Sequence, residues 1–140
     1  TELGVKEIFP IISERSAPVV NFKKDKIIRN IIESLEQSNG FVMPMLHEPK
    51  KLNDFLEMQK NSLIYCGDTY QDNQNSNFQF NLNTDNAMQK IALIGPEGGF
   101  SKKEIELIDS YKNIHKVQLG NRIMRSETAA IALLSLLKND

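Results

Sequence analysis

The chain has one cysteine, no tryptophan and no excess of basic residues. Each shortage removes a class of function. A lone cysteine, Cys66, has no partner for an internal disulfide, so a stapled secreted fold is excluded and a reducing, cytoplasmic setting is expected. No apolar run approaches the roughly 18 residues that suggest a membrane span. The opening Thr1-Glu2-Leu3-Gly4-Val5-Lys6 also lacks the basic start and apolar centre of a signal peptide. The formal charge is -1, whereas proteins that hold nucleic acid mainly through phosphates usually carry a basic excess. Two local exceptions stand out: Lys23, Lys24, Lys26 and Arg29, which read first as a solvated helix face, and the pair Arg122 and Arg125. Aromatic residues are only 7% of the chain and read as core anchors more than as a base-stacking platform. His47, His115 and Cys66 fit no recognised ligand spacing, so no metal is expected. Gly-x-Gly-x-x-Gly and Gly-Lys-Ser/Thr patterns are missing, which disfavours dinucleotide and nucleoside triphosphate chemistry.

What is present fits one soluble globular domain of 140 residues, with 40% hydrophobic and 25% charged residues. Val5 to Ile12 predicts a buried strand and Lys24 to Leu35 an amphipathic helix that stops near Ser38-Asn39-Gly40. Phe41 to Leu46 predicts a short strand edged by Pro44. A short helix around Leu52 to Met58 and a strand at Ser62 to Cys66 follow, and then an Asn- and Gln-rich stretch, Thr69 to Gln89, expected to be a variable surface connection. Ile91 to Ile94 and Ile114 to Leu119 are further strands. Ser101-Lys102-Lys103-Glu104 is a capping box opening a helix, and a terminal helix runs from about Ser126 to Leu137. Strands alternating with helices predict an α/β fold, a mainly parallel sheet flanked by helices on both faces.

Two loops carry the functional signal. Ile94-Gly95-Pro96-Glu97-Gly98-Gly99-Phe100 follows one strand, and Leu119-Gly120-Asn121-Arg122-Ile123-Met124-Arg125-Ser126-Glu127-Thr128-Ala129-Ala130 follows another. Ligands gather at the carboxyl ends of parallel strands, so two such loops suggest one shared pocket. Glycines let backbone approach a ligand, and Ser126-Glu127-Thr128 reads as a helix start with hydroxyl caps. Ile123 and Met124 offer cover for a flat aromatic ligand, and an arginine offers contact with an anion. For the Ala129-Ala130-Ile131-Ala132 run, plain helix packing is an equally good reading.

Taken together, Gly95-Pro96-Glu97-Gly98-Gly99 and Leu119-Gly120-x-Arg122-Ile123-x-Arg125-x-Glu127-Thr128-Ala129 resemble the RsmE family, ribosomal small-subunit RNA uracil-N3 methyltransferases of the SPOUT class. Thr1-Glu2-Leu3-Gly4-Val5, Pro10, Glu14-Arg15-Ser16 and Glu36-Gln37-Ser38 look like landmarks of that family in the same order, so the resemblance covers nearly the whole chain. Met124 stands where leucine is common, Ser126 where threonine is common, and Asn39-Gly40 where a glycine and an arginine are expected.

The resemblance implies a C-terminal deep trefoil knot, S-adenosyl-L-methionine as cofactor, and a homodimer with the terminal helix at its interface. It implies cofactor contacts at Cys66, Gly95, Pro96, Glu97, Gly98, Gly99, Leu119, Gly120, Ile123, Met124 and Arg125. Residues 1–140 would then be the methyltransferase domain, separated from an N-terminal PUA-like RNA-binding domain, with small-subunit ribosomal RNA or the assembled subunit as partner. Uracil N3 must lose a proton, which makes Arg125 a candidate to stabilise charge on the uracil oxygens and Glu97, or another carboxylate, a candidate to help proton removal. Glu97 has a structural alternative, holding its own loop. Arg15 is a further candidate for RNA or substrate contact, with a salt bridge as its alternative. Two rival functions are a methyltransferase acting on another ribosomal or transfer RNA site and a noncatalytic dimeric scaffold that binds RNA or ribosomal protein.

Overall fold

A computed structural model describes residues 1–18, 22–68, 89–120 and 122–138. The first apolar run does not make one buried strand. It makes two half-buried pieces, Glu7–Ile8 (β1) and Ile11–Ile12 (β2), split at Pro10. Proline has no N–H to give to a ladder, although the Pro10 carbonyl still accepts the Lys50 N–H at 3.0 Å. Helix α1, Lys24–Ser38, stops at Ser38-Asn39-Gly40 as expected, where Asn39 turns left-handed at φ 52°. Of its apolar stripe only Ile31 is buried.

The run from Phe41 onward also yields less strand than its composition suggests. Only Met45–Leu46 (β3) pairs, in parallel with β1, while Lys50–Lys51 (β4) pairs in parallel with β2. Pro44 is fully buried, and Phe41, Val42 and Met43 before it stand exposed. The register passes from Ile8↔Leu46 to Ile11↔Lys50, so His47-Glu48-Pro49 lies opposite Phe9-Pro10, one residue extra in the manner of a bulge. His47 stacks on Phe9 at 3.9 Å and bonds the Glu7 carboxylate at 2.7 Å, a structural post.

Helix α2, Leu52–Met58, puts Leu52, Phe55 and Leu56 into the core. The central sheet follows: Leu63–Asp68 (β5) lies between Lys90–Ile94 (β6) and Ile114–Gln118 (β7), parallel to both. Residues 69–88, most of the expected amide-rich connection, lie outside the described residues. Alternation along β5 divides the core. Ile64 and Cys66 pack with Leu52, Phe55, Leu56 and Ile108 on one face, while Leu63 and Tyr65 pack with Val117 and Leu133 on the other. Ile108 belongs to helix α3, Lys102–Asp109, and Leu133 to helix α4, Ser126–Leu137, so helices cover both faces as expected. Burying a side chain such as Leu133, fully enclosed here, contributes about 1.5–3 kcal/mol. Because β5, β6 and β7 are parallel, the loops that leave β6 and β7 emerge at the same edge.

Candidate functional site

The loop from β6 to α3 is a tight turn set by its glycines. Gly99 takes φ +67°, a conformation costly for any side chain, and its N–H closes the turn on the Pro96 carbonyl at 2.8 Å. Gly95 lies so close to the Phe100 ring that a Cβ would come within 3.1 Å of it. The capping box read from the sequence is present in both halves: Glu104 N–H donates to Ser101 Oγ at 3.2 Å, and Ser101 N–H to Glu104 Oε2 at 2.8 Å. The other oxygen, Oε1, accepts the N–H of Glu14 at 2.9 Å, and Glu104 is buried. Arg15, the neighbour of Glu14, lays its stem over Gly98 and donates from Nη1 to the Gly98 carbonyl at 2.8 Å. Arg15 therefore bonds loop backbone, and not a carboxylate as its salt-bridge alternative would have it.

The loop leaving β7 leads to α4, and its start differs from the sequence reading. The N-cap is Arg125, in an extended conformation, with no side-chain capping bond. Ser126, expected as a hydroxyl cap, instead donates across to the Gly95 carbonyl at 3.3 Å. The first-turn amides of α4 are left without a side-chain acceptor from their cap, which makes this helix end receptive to a carboxylate or phosphate.

Between the two loops lies a cleft of about 670 Å³, within the size range of small-molecule sites. Of the residues named from the sequence, Arg15, Cys66, Gly95, Pro96, Glu97, Gly98, Gly99, Ile123, Met124 and Arg125 all line it. Leu119 and Gly120 are not in the lining but lie next to residues that are. Leu119 Cδ1 sits 3.1 Å from the point a Cβ of Gly67 would occupy, and a Cβ on Gly120 would come 3.1 Å from the Met124 methyl. Arg122 is exposed and does not line the cleft.

Sequence reasoning missed several lining residues. Ile94 and Phe100 bound the first loop, whereas Ile105 and Ile108 are ordinary helix positions whose cleft-facing atoms have no local signature. Lys116, held by Asp109 at 2.6 Å, lines the cleft from mid-β7. Gly67, the residue after Cys66 at the end of an apolar run, lines the cleft too. A Cβ there would come within 2.9 Å of Ile94 Cδ1, so β5, β6 and the loop after β7 approach one another at this point. Charges are mixed: Arg15, Lys116 and Arg125 face the same space as Glu97 and Glu127. Among the described residues no group of His, Cys, Asp and Glu is placed to hold a metal ion.

A glycine-walled cleft with apolar sides, basic groups and an open helix start suits a ligand that is both aromatic and charged. The family of RNA methyltransferase domains matches residues 1–138. The chain belongs to that family. Relatives include the ribosomal RNA small subunit methyltransferase E of Rickettsia conorii, 32% identical over 96% of this chain and 54% of its own length. The protein of the same name from Aquifex aeolicus is 31% identical over 99% of this chain and 59% of its own. Among solved structures, the Neisseria gonorrhoeae ribosomal RNA small subunit methyltransferase E bound to S-adenosyl methionine superposes with a TM-score of 0.75 at 25% identity, over 97% of this chain and 55% of that one. A Legionella pneumophila protein described as a methyltransferase in complex with SAM gives 0.72 at 32% identity, over 97% and 56%. This RNA methyltransferase domain thus spans little more than half the length of the relatives it matches. None of its described helices is long and apolar enough to cross a membrane.

Proposed function

We propose that this chain is the cofactor-binding and methyl-transferring unit of an S-adenosyl-L-methionine-dependent ribosomal RNA methyltransferase, directed at N3 of a uridine in the small-subunit RNA. The observation that carries the reading is the convergence of the β6 and β7 loops, joined by Ser126 and Gly95, around a single cleft. The family and the SAM-bound structures of two similar proteins support it.

The residues present fit the cofactor. Ile94, Phe100, Ile123 and Met124 offer apolar walls for an adenine, the glycine turn offers close backbone, and the uncapped first turn of α4 offers amide donors for a carboxylate. When bound, the cofactor supplies an electrophilic methyl group on a sulfonium sulfur. The protein's part is to align the base and manage its proton. Arg125, exposed at the cleft, stabilises negative charge on the uracil oxygens as N3 loses its proton. Glu97, exposed on the turn that lines the same cleft, is the proton acceptor. Its turn is closed by backbone, Gly99 N–H to Pro96 carbonyl, so holding the loop does not require the carboxylate. Arg15 has donors beyond the one given to Gly98 and offers them to RNA.

The same reading includes threading of the C-terminal part as a trefoil knot, a cytoplasmic setting, and an RNA-binding domain elsewhere in a longer polypeptide. The last agrees with the chain's charge of -1 and its coverage of about half of its relatives. Assembly is through α4: its sequence is apolar on nearly every side, yet Ile131 and Leu136 are exposed in the single chain, as a face covered by a second copy would be. The test is nucleoside analysis of small subunits from a strain lacking the gene, after treatment with purified enzyme and cofactor. N3-methyluridine formation, reduced about 10²–10³-fold by Arg125→Ala, is the expected result. A methylated base other than uridine, or a product only in transfer RNA, would overturn the target assignment. Absence of any methylated product would favour a binding scaffold.

A further inference from the structure

We infer that Glu104 is a positioning residue that sets the shape of the cofactor turn through the Glu14-Arg15 segment, and is more than the cap of its own helix. A capping-box carboxylate usually has one task, to return to the N-cap amide. Here both oxygens are committed in different directions, Oε2 to Ser101 N–H at 2.8 Å and Oε1 to Glu14 N–H at 2.9 Å, across 90 positions of sequence. The segment it grips is already rigid. Ser16 Oγ accepts the Ser13 N–H at 3.1 Å and donates to the Ser13 carbonyl at 2.9 Å, folding residues 13–16 into a small knuckle.

From that knuckle, adjacent residues reach the two ends of one unit. Glu14 holds the first turn of α3 through Glu104, and Arg15 holds the turn before it through the Gly98 carbonyl at 2.8 Å. Residues 98–104 are thereby clamped at both ends onto a separate stretch of chain. Arg15 is exposed and its bond to Gly98 is open to water, so by itself that bond would be weak. Anchoring the neighbouring backbone to a buried carboxylate removes most of the freedom Arg15 would otherwise lose in making it. The consequence for cofactor binding rests on the methyltransferase reading; the clamp itself does not.

The test is amide hydrogen exchange at Gly99, whose N–H closes the turn on Pro96, measured by NMR on the ligand-free protein. Glu104→Gln keeps size and one acceptor but sets an NH₂ group against one of the two amides. Arg15→Met keeps the stem and removes the donor. Each should raise Gly99 exchange about tenfold, the scale of one lost hydrogen bond, and the double variant should add little to either. Ser101→Ala removes the hydroxyl half of the cap but leaves both carboxylate bonds, so it should lower the unfolding midpoint and leave Gly99 exchange as it was. Unchanged exchange in Arg15→Met, equal acceleration by Ser101→Ala, or fully additive effects of Glu104→Gln and Arg15→Met would each overturn the inference. Arg15→Met alters only an exposed side chain and keeps the test decisive if Glu104→Gln does not fold. In the enzyme assay, Glu104→Gln should raise the KM for cofactor about tenfold, because a tilted turn weakens binding, and should lower kcat as well, because the same turn carries Glu97. Failure of exchange to respond refutes the clamp; absence of turnover in the wild type refutes the methyltransferase reading.

Discussion

Ser126 donates its hydroxyl to the carbonyl of Gly95 at 3.3 Å, which ties the first residue of the terminal helix to the residue that follows β6. The bond joins the two loops that wall the cleft, while the N-cap position of α4 falls to Arg125, which makes no side-chain capping bond. The helix end is thereby left open on the side where a ligand would lie.

Replacing Ser126 by alanine should therefore cost little stability and more binding. One partly buried hydrogen bond is worth about 0.5–1.5 kcal/mol, a small shift in a urea unfolding curve. Cofactor affinity should fall severalfold because the loops are no longer pinned together. Ser126→Thr keeps the hydroxyl and should retain most of the affinity; loss in both variants alike would show that the bond is unimportant.

Gly67 and Gly99 should resist alanine for different reasons. A Cβ at Gly67 meets Ile94 Cδ1 at 2.9 Å and Leu119 Cδ1 at 3.1 Å, so Gly67→Ala overpacks the strand ends, at about 1–3 kcal/mol. Gly99 has open space around it, but at φ +67° an alanine is left-handed, at about 1–2 kcal/mol. Trimming Ile94 to valine should relieve the first substitution and leave the second unchanged. Equal response of both in thermal unfolding would contradict the assignment of cause.

An alkaline dependence should come from Tyr111. Its phenol hydrogen-bonds the Glu57 carboxylate, and that bond, followed by partial burial and the nearby negative charge, raises its pKa above the usual 10.0. A group whose pKa is raised on folding stabilises the fold fully below its unfolded value and loses that contribution as pH rises through the folded value. Tyr111→Phe should flatten this limb above about pH 10. Glu57→Gln should bring the phenolate titration of Tyr111, followed by ultraviolet absorbance, down toward the ordinary value. A titration unmoved by Glu57→Gln would refute the coupling.

Much of this was legible in the sequence because it is local. The apolar runs at β5, β6 and β7, the isoleucine spacing of α1, and Ser101 with Glu104 three residues later all declare themselves within a few positions. Pro10 and Pro44 were visible too, yet their effect depended on which strand they faced, and the expected strands at Val5 to Ile12 and Phe41 to Leu46 shrank to two-residue pieces. Nothing near Glu104 announces that Glu14 will use its second oxygen. Likewise, the serine that opens α4 looks like a cap until the fold brings Gly95 beside it. Leu119, expected among the cofactor contacts, packs beside Gly67 where the strand ends converge, a neighbour its own sequence does not announce.

The most direct measurement is a calorimetric titration of the protein with S-adenosyl-L-methionine and S-adenosylhomocysteine, beside Gly67→Ala as the variant that crowds the strand ends. Saturable binding at one cofactor per chain, weakened at least tenfold by Gly67→Ala in protein that remains folded, is the predicted result. Folded wild-type protein that takes up neither compound would contradict the account that this cleft is a methyltransferase cofactor site.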